Sequence, residues 1–217
     1  MDATVSTMEL TDTMVMFDWN GTVVLDADRA RASLNSVLEA RDLGALDTDE
    51  FSRKFRLPMK NMFRDLGVHS LDFAVAEAEC NHHMTQTPTR LRAGTNAALL
   101  ALSEAGAWLG VVSAASAAAV QFDQRSLSVL PVLDVVDAEV ADKVSQLVLH
   151  RARRKRAFYI GDTEYDMVAA SAAEYIPIGV SGGYSSEQVL RKADAAHIVE
   201  SLGEIMALVA HTDCGRK

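Results

Sequence analysis

Six short apolar runs, spaced along 217 residues and set apart by stretches of helical character, constrain this chain more than any other feature. They are MVMF at 14–17, LGVVS at 109–113, VLDVV at 132–136, AFYIGD at 157–162, PIGV at 177–180 and HIV at 197–199. Continuous apolar runs bounded by turn residues suit strands buried on both faces. The helical stretches fall at 95–105, 115–125, 140–154, 165–174, 187–193 and 202–211. Strands that alternate with helices predict βαβ units and an α/β fold with a Rossmann-like, doubly wound parallel sheet. Ligands of such sheets bind beyond the carboxyl ends of the strands, so the residues that close each run are candidate site residues.

The first and second runs are separated by a segment without a convincing strand. In it Ala30, Leu34, Val37 and Leu38 recur at helical spacing, and Gly44 follows as a helix stop. Helices are predicted at 28–43, 47–55, 59–66 and 71–84, interrupted by Leu57-Pro58 and Gly67. The expected organisation is a core formed by 1–25 and 89–217, with 26–88 inserted as a helical cap domain. The insert enters and leaves at the end of the first strand, which predicts that it sits over the site as a lid.

Charge and cysteine usage exclude several partners. A formal net charge of −9 argues against nonspecific nucleic-acid binding, which depends on Lys and Arg neutralising phosphates. The one basic run, RARRKR at 151–156, reads as a solvated helix end whose cations complement the helix dipole. The two cysteines, Cys80 and Cys214, form no close pair and predict neither a disulfide framework nor a CxxC site. No apolar run reaches membrane-spanning length, and the first dozen residues lack a basic-then-apolar pattern. A cytoplasmic protein without nucleic-acid or membrane partners is expected, either a monomer or a weak homodimer.

Four pieces of chemistry fall at strand or helix ends. DWNGT closes the first run with Asp18 and Asn20, Ser113 closes LGVVS, Lys143 lies in the 140–154 stretch, and GDTEYD at 161–166 closes AFYI. One such piece is weak, whereas four in order are specific. The set resembles the haloacid dehalogenase superfamily of hydrolases, in the phosphoglycolate phosphatase-like subclass with a helical cap between the first and second motifs. The segments LRAGTNAALLALSEAGAWLGVVSAAS and YIGDTEYDMVAASAAEYIPIGVSGGYSS extend the likeness over most of the chain. The resemblance implies a Mg²⁺-dependent phosphohydrolase that acts on a small phosphorylated metabolite. Asp18 would be the nucleophile. Metal ligands would be Asp18, the Asn20 backbone carbonyl and Asp162, with Asp166 holding the metal's waters or Lys143. Ser113, Ala114, Lys143, Gly21 and Thr22 would bind the phosphate, through side chains and through N–H groups of the turn.

Asn20 departs from the pattern. The family's phosphatases carry an Asp there that protonates the leaving oxygen and then activates water. An amide keeps the backbone carbonyl and loses the proton transfer, which costs on the order of 10²–10⁴ in rate. Three readings follow: a phosphatase in which another group or an easy leaving group compensates, a noncatalytic phosphate-binding protein, or a phosphonatase-like enzyme. The family's phosphonoacetaldehyde hydrolases have a DWAGT-like motif and use a cap lysine for a Schiff base. Lys54 and Lys60 are the lysines available to that reading.

Other residues receive narrower expectations. Arg53, Arg56 and Lys60, within a basic cluster around Leu57-Pro58, are candidates for binding substrate from the cap. His82 and His83 are adjacent and diverge on a helix, so they make a poor metal pair. Trp19, inside the first motif, is expected to line the cleft, and Ser185 with Gln188 reads as a capping box. Glu174 stands where the family often has a glycine, which points to a turn.

Overall fold

The computed structural model describes residues 9–212. Cys214 lies outside the described residues. Six parallel strands form one sheet: β1 (Thr13–Phe17), β2 (Trp108–Val112), β3 (Val135–Asp137), β4 (Arg156–Gly161), β5 (Ile176–Val180) and β6 (His197–Val199). Their spatial order is β3-β2-β1-β4-β5-β6. The chain therefore builds outward from β1 in both directions, and the order reverses at β1, where a crevice opens at the strand ends. β1 is buried throughout. Val15 and Phe17 join a cluster with Leu109, Phe158 and Ile160, while Met14 and Met16 join another with Tyr159 and Leu147. Alternate side chains of one strand thus fill two cores, which is why the run is continuously apolar.

Helices cover both faces. α5 (Thr95–Glu104), α6 (Ala117–Ser126) and α10 (Ile205–His211) contribute Leu99, Leu102, Val120 and Ile205 to the first cluster. α7 (Lys143–Arg151) and α8 (Glu164–Ala172) contribute Leu147, Ala169 and Ala170 to the second, and α9 (Glu187–Lys192) follows β5. The expected α/β fold with a doubly wound parallel sheet is present. No described helix is long and apolar enough to cross a membrane.

Differences from the sequence-based boundaries are local and have physical causes. β3 starts at Val135 rather than at 132, because the Asp134 carboxylate accepts the Leu109 N–H at 2.8 Å ahead of the ladder. α7 starts at Lys143 rather than at 140, because Asp142 caps it by accepting the Ser145 N–H at 3.2 Å. The cap of α9 is Ser186, which accepts from Val189, and not the Ser185/Gln188 box. Glu174 takes the left-handed conformation at φ 61, the backbone setting for which glycine is the usual residue.

Between β1 and α5 lie four α-helices, α1 (Ala27–Glu39), α2 (Thr48–Lys54), α3 (Met59–Asp65) and α4 (Phe73–Met84). They enclose a hydrophobic cluster of their own that includes Leu34, Leu38, Phe51, Met62, Phe63 and Cys80. Tyr184, from the loop after β5, reaches into this cluster and stacks on Phe55 with ring centroids 4.1 Å apart. A second attachment is polar. Arg29 on α1 makes a bidentate pair with Asp123 on α6, at 2.6 and 2.8 Å, and Trp19 Nε1 donates to the same carboxylate at 3.1 Å.

Candidate active site

The crevice above β1 gathers four ionisable side chains that are all nearly or fully buried: Asp18, Lys143, Asp162 and Asp166. Asp18 ends β1, Asp162 follows β4, Asp166 lies in the first turn of α8 and Lys143 opens α7. Lys143 Nζ sits 2.9 Å from Asp18 Oδ1 and 2.6 Å from Asp166 Oδ1. Burial opposes the charged form of Lys143, yet Asp166 and Asp18 outweigh it and raise its pKa, so the ammonium persists. Burial likewise pushes Asp18 upward, against the pull of Lys143. Asp162 is driven well above the usual carboxylate range by burial, and then by the charges of Asp166 and Asp18.

Each carboxylate is held differently. Asp166 Oδ2 accepts both the Thr163 N–H at 3.0 Å and its hydroxyl at 2.5 Å, the capping box of α8. Both of its oxygens are thereby engaged, and it positions Lys143. Asp162 Oδ1 accepts the Thr22 hydroxyl at 2.9 Å and Oδ2 accepts the Tyr184 N–H at 2.7 Å. Gly21 has φ +72, and a Cβ there would stand 2.1 Å from Asp162 Oδ2. A Cβ at Gly183 would be 2.2 Å from the same atom. Only glycine permits the loop to approach Asp162 so closely, which gives Gly183 a role beyond that of a turn residue.

Oxygens of Asp18, Asp162 and Asp166 lie within 4.8 Å of one another. Asp18 Oδ1 is buried with Lys143 as charge partner but without an aligned hydrogen-bond donor. With all three carboxylates ionised, one ammonium would leave two negative charges uncompensated, which is why burial favours the protonated forms of Asp18 and Asp162 when no cation is bound. A hard divalent cation fits this all-oxygen set, and it would lower the pKa values that burial raises.

The remaining sequence candidates separate into two groups. Ser113 is buried beside Asp18, and its Oγ accepts the Ala115 N–H at 3.2 Å. Ala114 and Asn20 line the cleft, and the Asn20 Oδ1 is buried without a hydrogen-bond partner. The Gly21 N–H, expected to face phosphate, donates instead to Asp26 Oδ1 at 2.9 Å, and the Thr22 N–H donates to Trp19. Arg53, Arg56 and Lys60 are exposed and do not line the cleft, and Arg56 pairs with Asp65. Lys54 is exposed as well, so no described lysine of the insert reaches the cleft that a Schiff base would require. Trp19, expected at the cleft, is fully buried in the core because its indole N–H is committed to Asp123.

Two residues were not singled out from the sequence. Arg92 clamps the motif turn by donating to the carbonyls of Gly21, Thr22 and Ser181. Tyr184 joins the Asp162 carboxylate through its N–H to the insert through its ring. Its hydroxyl lies beside Asp26, whose pKa burial raises to about 7. The signals were present as LRAGT and GGYSS, but nothing in one sequence states where an Arg or Tyr side chain turns.

A cleft of about 520 Å³ opens over Asp18 and runs up between core and insert. Its floor is Asp18, Asn20, Ser113 and Lys143, and its wall on the insert side includes Phe51, Phe55, Leu57, Met59 and Met84.

A buried nucleophile candidate, a lysine and an acidic cluster at the switch point of a parallel sheet define a hydrolase-type site, and the comparisons agree on the class. The profile of the haloacid dehalogenase-like hydrolases matches residues 15–180, so the chain belongs to that family. No curated protein matches the sequence. Among solved structures, a predicted phosphatase from Clostridium acetobutylicum is similar at 22% identity and TM-score 0.80, over 94% of this chain and 100% of that one. A predicted phosphoglycolate phosphatase from Haemophilus somnus is similar at 16% identity and TM-score 0.78, over 94% and 99%. CbbY from Rhodobacter sphaeroides, in complex with phosphate, is similar at 20% identity and TM-score 0.76, over 90% and 96%. At these identities the likeness is one of fold.

Proposed function

We propose that this hydrolase is a Mg²⁺-dependent phosphatase that cleaves a small phosphate monoester through Asp18. The observation that carries the reading is Lys143, buried and bridging Asp18 to Asp166 beside Ser113. Asp18 attacks phosphorus in line, the P–O bond to the leaving group breaks, and an aspartyl-phosphate forms that water then hydrolyses. Lys143 and Ser113 stabilise the charge spread over the transferring oxygens. Asp18, Asp162 and the Asn20 carbonyl would hold the cation, which supplies charge neutralisation at the phosphoryl oxygens.

Asn20 donates a hydrogen bond but no proton, so departure of the leaving oxygen is the step it handicaps. Esters with good leaving groups are accordingly the better substrates. The amide at Asn20, beside an otherwise complete set of Asp18, Ser113 and Lys143, also motivates the second reading, a site that binds phosphate esters without turning them over.

Phosphate release from p-nitrophenyl phosphate, with Mg²⁺ and with EDTA, tests the proposal. Release should stop with EDTA and fall on the order of 10⁴-fold or more in Asp18→Asn. Release that survives in the variant overturns the role of Asp18. Silence of the parent protein with Mg²⁺ overturns turnover in favour of the binding reading.

A further inference from the structure

We infer that the cleft selects phosphate monoesters whose organic part carries no second anionic group, and that Glu77 and Asn81 on α4 engage a hydroxyl or ammonium on that part. This rests on the reading of the site as one for phosphate esters and names their class. Among the described residues that line the cleft, Lys143 is the sole cation, and it is engaged with Asp18 and Asp166. Nearby guanidinium groups are committed elsewhere: Arg29 to Asp123, and Arg92 to four backbone carbonyls. The basic cluster of the insert lies outside the cleft. A substrate's second carboxylate or phosphate would find no counter-charge there.

It would instead meet negative charge. Glu77 on the insert and Glu139 on the core both line the cleft above Asp18. An ionised carboxylate only accepts hydrogen bonds, so Glu77 favours a donor, while Asn81 offers both an acceptor and donors. Glu77 and Asn81 are four residues apart and share one face of α4, and the short side chains of Ala74 and Ala78 on that face leave room for ligand. Phe55, Leu57, Met59 and Met84 supply the apolar contact. The volume of about 520 Å³ holds an organic body well beyond the phosphate itself. Rejection by unpaired like charge is as much a source of specificity as attraction.

Three esters of matched size separate the outcomes: phosphoethanolamine, ethyl phosphate and phosphoglycolate, whose tails are cationic, neutral and anionic. Their dissociation constants, measured by calorimetry on Asp18→Asn protein with Mg²⁺, read selection without turnover. Phosphoethanolamine and ethyl phosphate should each bind about tenfold or more tightly than phosphoglycolate. Glu77→Lys should invert the order, and Glu77→Gln should remove the preference for the amine while the far-UV spectrum and Tm stay unchanged. Equal affinity for the three, no binding by any, or an order that Glu77→Lys leaves intact overturns the inference. Absence of aryl phosphate hydrolysis by the parent protein instead overturns the phosphatase reading, and the binding order then still decides the question of tail charge.

Discussion

The floor and the wall of the cleft are built on opposite principles. On the floor and directly beneath it, Asp18, Lys143, Asp162 and Asp166 are buried, and their geometry is fixed by Thr22, Thr163, Tyr184 and two close-approaching glycines. The insert's wall is mostly apolar, with Glu77 and Asn81 as its polar groups facing the cleft. A buried charged network has one satisfied arrangement, whereas apolar contacts tolerate many. Chemistry is therefore stored on the floor, and selectivity is free to drift on the wall. Changes to the floor should be costly and specific, and changes to the wall mild.

The largest test of that contrast is Lys143→Ala. It strands two buried carboxylates, and unfolding in urea at pH 7 should lose about 3–5 kcal/mol of stability. Added Mg²⁺ should recover part of the loss by binding the folded state. A loss below about 1 kcal/mol would mean that the floor is not held by charge pairing. Next is Asn20→Asp, which should raise kcat on alkyl phosphates about 10²-fold and do little for aryl phosphates, whose leaving groups need no acid. A decrease on alkyl phosphates would show that another group already serves as the acid.

Asp26 offers a smaller effect, one legible in pH. Burial lifts its folded pKa to about 7, above the ordinary aspartate value of about 3.9, so the folded state holds a proton that the unfolded chain releases. Stability from this group is therefore present at low pH and declines as pH rises from about 4 to about 7. Asp26→Asn, an isostere of the protonated form, should remove roughly 2 kcal/mol of that decline, measured as urea unfolding at pH 5 and pH 8. An identical slope in both proteins would place the titration elsewhere. Smallest of all, Met59→Leu on the wall should change stability by less than about 1.5 kcal/mol and shift KM with kcat unchanged. An effect on kcat as large as that of Asn20→Asp would erase the distinction between floor and wall.

The same contrast explains what the sequence made legible. Asp18, Ser113 and Asp162 follow buried strands whose continuous apolar runs announce the carboxyl ends, so their convergence is read from topology alone. Lys143 and Asp166 follow from the helices that start beside them. The direction of Arg53, Arg56 and Lys60 was not legible, because a basic cluster on short helices has two faces and composition does not say which faces the cleft. Trp19 misled for a related reason. Its place in the motif suggested the cleft, but its partner Asp123 lies 104 positions away. Arg92 acts on backbone carbonyls distant in sequence, and Tyr184 on the Asp162 side chain and the Phe55 ring, contacts that leave no periodic trace.

The two attachments of the insert differ in what it costs to part them. Separating Tyr184 from Phe55 exposes apolar rings to water, which is a graded cost. Separating Arg29 from Asp123 leaves a buried charge without its partner, which is close to prohibitive. The first behaves as a latch and the second as a hinge pin. Any displacement of the insert would thus cost less at the contact of α2 with the loop after β5 than at the α1–α6 contact.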